Sequence, residues 1–181
     1  MKLDLHWSLG KLCAIFYAVL HLLHERWGAM VRLDMRWFSP QHCPAWAQAL
    51  RNKNSPHPNC IGFIDGVTYA VCRPQVNQRC MYSGHKKEHC YREQAVVLAN
   101  GLIVSMMGPY KGASNDQELL NRSGLLDALD QNMPPNYHLY GDKAYTAHAR
   151  LASPYRHGAV PVAHEVAVNA AMSKLRIAVE W

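Results

Sequence analysis

The chain has 181 residues, enough for one ordinary domain with a real core and no need of disulfides or a structural metal to fold. Hydrophobic residues are 49% and charged residues 18%, which excludes a disordered or coiled-coil chain. The formal charge is +6, which favours a polyanionic partner such as nucleic acid.

Residues 1 to about 30 are expected to be helical. Leu12, Ile15, Phe16, Val19, Leu22 and Leu23 recur at three- and four-residue spacings and make one apolar stripe. The apolar run Leu12–Leu20 is too short to span a bilayer. Asp4 interrupts the basic region that a signal peptide would need, and His24-Glu25-Arg26 stands where small cleavage-site residues belong. We therefore read the chain as intracellular and not membrane-bound. A second helix is expected at about Trp46–Arg51. Asn52–Asn59 is a loop by composition and divides a helical N-terminal segment, 1–59, from a second unit, 60–181.

Beyond the loop, Ile61, Phe63, Asp65, Val67, Tyr69 and Val71 alternate with period two and predict a strand carrying an acid on its apolar face. Arg73–Arg92 is polar and basic, with Arg79, Lys86, Lys87 and Arg92 interleaved with Tyr82 and Tyr91. It reads either as a phosphate-contacting segment or as a solvated loop. Asn100-Gly101 between two apolar runs predicts a hairpin. Asp116 is expected to cap one helix running through Leu129, which Pro134-Pro135 ends. Tyr137–Tyr140 is a short strand followed by Gly141-Asp142, and a last helix covers about Glu165–Trp181. This order predicts a mixed α/β fold around one sheet.

On the last helix, Asn169, Ser173, Arg176 and Glu180 fall within about 60° of arc, beside an apolar stripe of Val168, Met172, Leu175 and Val179. The polar stripe is either an edge aimed along the element it packs on or a solvated face with an Arg176–Glu180 pair. Asp65, Asp142 and Glu180 each have an ordinary structural reading as turn, cap or surface pair. Together, on distant rigid elements, they suit hard divalent cations, which prefer carboxylate oxygens. Two such ions activate a nucleophile and stabilise the leaving oxygen in phosphoryl displacement. Cys80, His85, His89 and Cys90 offer a competing zinc reading, but their spacing is not a standard ligand pattern.

Five ordered blocks resemble the Harbinger-type DDE transposases and the domesticated nuclease of that family. They are Ile61–Val67, Tyr82–Lys87 with His89, Asn100–Ile103 with Gly108–Gly112 and Asp116, Gly141–Tyr145, and Asn169 to Trp181. The resemblance covers about residues 60–181. It implies an RNase H-like fold with catalytic and metal-holding acids Asp65, Asp142 and Glu180, and Asp116 as a further candidate ligand. It implies Mg²⁺ or Mn²⁺, cleavage of DNA phosphodiesters, a nuclear location and a separate DNA-binding partner protein. Lys86, Lys87, Arg92 and Arg176 are the expected DNA contacts. Asn115 stands where the family has His, so any proton-shuttling role of that His is lost. The chain ends one residue past the third acid, where the family continues, so the resemblance implies a domain cut short at its C-terminus. The alternative is a catalytically inactive transposon-derived remnant that binds DNA or protein.

Overall fold

The computed structural model describes residues 7–156 and 162–177. Helix α1 (Leu9–Arg32) starts at Ser8, whose side chain accepts from the Lys11 N–H. A 3-10 turn (Met35–Phe38) leads to α2 (Cys43–Arg51), which begins with a proline in its first turn, where the missing N–H costs nothing. Strand β1 (Cys60–Ala70) follows, then a short helix α3 (Gln78–Met81) and the strands β2 (Tyr82–Ser83), β3 (Glu88–Leu98) and β4 (Ile103–Lys111). Helices α4 (Asp116–Ser123) and α5 (Leu125–Asn132), strands β5 (His138–Tyr140) and β6 (Leu151–Ala152), and helix α6 (Ala163–Arg176) complete the chain.

The six strands form one mixed sheet. β3 pairs antiparallel with β1 and with β4, and β5 and β6 continue parallel on the far side of β1. Helices cover both faces. The larger core joins Ile61, Ile64, Val96 and Leu98 of the sheet to Phe38, Cys43 and Ala47 and to Leu120, Leu125 and Leu129. The smaller core packs Cys60, Phe63 and Tyr140 against Val168 and Met172 of α6. This is the mixed α/β architecture of the RNase H-like kind that the resemblance implied.

Four expectations need correction. First, Ile61 does not share a face with Phe63. The β1–β5 register slips between Cys60 and Gly62, and Ile61 packs with Ile64 in the larger core. Second, the expected single helix after Asp116 is two. Gly124 takes a left-handed backbone, φ 67°, which a side chain would strain, and the chain turns there. Third, the cap of α4 is Asn115, whose side chain accepts from the Glu118 N–H at 2.8 Å; Asp116 is the first helical residue. Fourth, the last quarter of the segment Arg73–Arg92 is strand, because β3 begins at Glu88. Its polar residues alternate with Cys90 and Gln94, which are buried.

The hairpin forms where Asn100-Gly101 placed it, with Gly101 at φ 84°. The loop at 52–59 is present, yet packing crosses it: Phe38, Cys43 and Ala47 belong to the same core as β1. It separates elements rather than cores. All six cysteines are free thiols, and Cys43, Cys60 and Cys90 are buried. Among the described residues, no helix is long and apolar enough to cross a membrane.

Candidate acidic site at the end of the central strand

β1 is buried for its first five residues and emerges at Asp65, so the sheet's central strand delivers a carboxylate at the boundary between core and solvent. Asp65 Oδ1 accepts from the Gly66 N–H at 2.8 Å. Its Oδ2 accepts from Arg176 Nη1 of α6 at 2.9 Å. The apolar stripe of α6 docks through Val168 and Met172 and turns the polar stripe towards β1. Asn169, two turns earlier, grips Tyr155 by both its backbone N–H and C=O. The polar stripe therefore runs along an edge, as the first of its two readings expected. Glu180 lies outside the described residues.

Asp142 follows β5, the parallel neighbour of β1. Its Oδ1 accepts from the Ala144 N–H at 2.7 Å, an Asx turn that fixes the carboxylate at the strand's end. Asp116 opens α4 and reaches β1 at Gly66. A Cβ on Gly66 would overlap Asp116 Oδ1, so only glycine admits this acid here. Arg92 of β3 holds it there. Its guanidinium donates to Asp116 Oδ1 and to the Ser114 carbonyl.

The three aspartates line one cleft of about 730 Å³ together with Ser83, His85, Lys86 and Arg92. They lie close enough to feel one another's charge. Burial, first, raises the Asp65 carboxyl above its ordinary value; Asp142 and Asp116 raise it further, against the Gly66 N–H and Arg176. Burial also raises Asp116, with Asp142 adding to it and Arg92 opposing it. The site thus concentrates negative charge in a partly dry place and balances it with two arginines.

The predicted basic residues divide. Lys86 is exposed and lines the cleft. Lys87 is exposed at the β2–β3 turn, where its N–H closes on the Ser83 carbonyl. Arg92 and Arg176 are instead turned inward onto acids. Among the described residues no group of three or more His, Cys, Asp or Glu converges closely enough to hold a metal ion, neither Cys80, His85, His89 and Cys90 nor the three aspartates.

One buried residue close to the site, Gln94, escaped the sequence reading. Gln94, paired across the sheet with Gly66, is 1% exposed. The fully buried Tyr145 hydroxyl lies against the Gln94 side chain. Burial, then the Asp116 charge, pushes that phenol well above its ordinary range. Tyr145 stood in the Asp142-x-x-Tyr block; Gln94 looked like one more polar residue on a basic segment.

A sequence model of the family described as DDE superfamily endonuclease matches residues 64–181. The chain belongs to that family. The match begins one residue before Asp65 and takes in the whole acidic cleft. No curated protein and no solved structure matches the chain. Membership in the DDE endonucleases gives a nuclease- or transposase-type chemistry with DNA as its substrate.

Proposed function

We propose that this DDE endonuclease hydrolyses DNA phosphodiester bonds with two divalent cations, Mg²⁺ or Mn²⁺, held by Asp65, Asp142 and Glu180, with Asp116 as a further ligand. The observation that carries the reading is the meeting of Asp65, Asp116 and Asp142 in one cleft inside the matched region. The donor chemistry suits a hard cation, whose charge would relieve the burial and mutual repulsion that raise two of the carboxyls; among the described residues no three acids converge closely enough to hold one, and Glu180, which completes the proposed set, lies outside them. When bound, the ions would supply an activated water and charge stabilisation at the leaving oxygen.

The chain's own residues do the rest. The Gly66 N–H and the Asx turn at Asp142 fix the two carboxylates before substrate arrives. Arg92 and Arg176 hold Asp116 and Asp65 in place and neutralise them; both cations lie beside the cleft, where the DNA backbone brings further negative charge. Lys86 and Lys87 meet backbone phosphates at the mouth. The family also carries a nuclear site of action and a separate DNA-binding protein as parts of this proposal, with 60–181 as the catalytic unit and 1–59 as its helical extension.

The two arginine–aspartate pairs favour a second reading. With the acids already balanced, the fold stands without metal and serves as a non-catalytic DNA- or protein-binding domain. Cleavage assays with and without Mg²⁺ on the wild type and on Asp142→Asn separate the two. Metal-dependent cutting lost in the variant supports the nuclease. Salt-sensitive binding with no cutting supports the second reading.

A further inference from the structure

Helix α1 is 24 residues long and buries none of them. A helix on a domain normally turns its apolar face to the core; this one leaves its apolar face exposed and keeps Lys11, His21, Glu25 and Arg32 on the other side. Leu12, Ile15, Phe16, Val19, Leu22 and Leu23 are each between 38% and 62% exposed. At ~100° per residue they lie within about 120° of arc, a continuous stripe along roughly three turns. Only the C-terminal end of α1 rests on the domain. There Trp27, Met30 and Val31 meet Ile103 and Met106 of β4, and the Arg32 carbonyl accepts from Ser105 Oγ. The stripe is at the other end and has no cover among the described residues. A patch of this length exceeds what monomers usually leave in water.

We propose that this stripe is the contact between two copies of the chain, paired as antiparallel α1 helices about a two-fold axis near residues 17–18. The argument for a second copy is self-complementarity. Antiparallel pairing about that point sets Leu12 of one copy against Leu22 of the other, and Ile15 against Val19, so each large residue meets another. Lys11 and Glu25 lie on the same flank of the stripe. In an isologous antiparallel pair that flank faces itself, and Lys11 of each copy comes opposite Glu25 of the other, twice over. In a parallel pair this flank would face the partner's opposite flank, and Lys11 would not meet Glu25. Arg26, the one charged residue within the stripe, lies over the Trp27 ring at 5.2 Å, which carries its charge to the edge. Phe16 and Tyr17 meet edge to face at 5.5 Å and broaden the apolar surface near the axis. The contact sits away from the acidic cleft and does not depend on the nuclease reading.

The test is sedimentation equilibrium of the full chain over a wide concentration range. The wild type is expected to be dimeric. Val19→Glu brings two charges together at the axis and weakens self-association by roughly a hundredfold or more, leaving the circular dichroism of the domain unchanged because Val19 belongs to neither core. Lys11→Glu and Glu25→Lys each weaken the dimer, and the double exchange restores it. A wild type that is monomeric throughout overturns the proposal. So does a dimer that survives Val19→Glu, which would lie on another surface, or a double exchange that fails to restore pairing.

Discussion

Asp116 Oδ1 occupies the space that a Cβ at residue 66 would need. Strand β1 and helix α4 therefore approach through a position that only glycine can fill, and the Asp116 carboxylate is inserted where the strand carries no side chain. Gly66 is next to Asp65, so one missing side chain brings the second acid beside the first.

Gly66→Ala is expected to drive Asp116 off the strand and out of its contact with Arg92. The overpacking costs ~1–3 kcal/mol, read from the urea unfolding midpoint. Cleavage falls more than stability does, because the displaced acid belongs to the cleft. A variant with wild-type stability and activity would show that the close approach has no role.

Arg92→Met removes the cation that balances Asp116. With Asp116 half-buried, the loss is ~1–3 kcal/mol at pH 7. Asp116 already titrates above its ordinary value with Arg92 present. Without it the carboxyl rises further, so protonation relieves the variant as the pH falls towards that raised value. The gap between variant and wild type should be wide at pH 7 and narrow in acid. A gap independent of pH would mean that Arg92 acts through packing alone.

His138 supplies a second pH dependence, of opposite sign. Burial, with a smaller contribution from His57, lowers its imidazole from 6.5 to about 4. The unfolded chain takes up the proton near 6.5 and the folded chain only near 4, so stability is lost as the pH falls between those values. Allowing for partial exposure, the loss is ~2 kcal/mol. Unfolding midpoints measured from pH 7 to pH 4 should fall in the wild type and fall less in His138→Gln.

Much of this was legible in the sequence, and the gaps have physical causes. Alternation located β1 and its acid, because a half-buried strand must repeat with period two. The helical spacing of Val168, Met172 and Leu175 located the docked stripe of α6, because helices bury one face. The slip near Gly62 left no trace in composition, so Ile61 was put on the wrong face. β3 was read short because a strand edged by polar residues looks like a loop until its neighbours are known. Arg92 and Asp116 are 24 residues apart, and no local pattern joins them. Arg92 was therefore grouped with the lysines around it. Gln94 went unremarked for the same reason: its burial is a property of the sheet.

Lys86 and Arg92 should now behave differently in DNA binding. Lys86→Ala is expected to weaken binding to all sequences alike and to lower the slope of log K against log salt by about 1, as loss of one phosphate contact does. Arg92→Met should change that slope less, since its charge is already taken up by Asp116. Equal slopes for the two variants would place Arg92 on the DNA backbone.

The central claim is that the acids in the cleft cut DNA with the help of a divalent cation. Nicking of supercoiled plasmid by the purified chain, followed with Mg²⁺ or Mn²⁺ and again with chelator, tests it most directly when wild type and Asp142→Asn are run side by side. The account predicts metal-dependent nicking by the wild type and none by Asp142→Asn, with DNA binding retained by the variant. Identical traces for the two proteins, or binding without nicking by the wild type at any metal concentration, would contradict it.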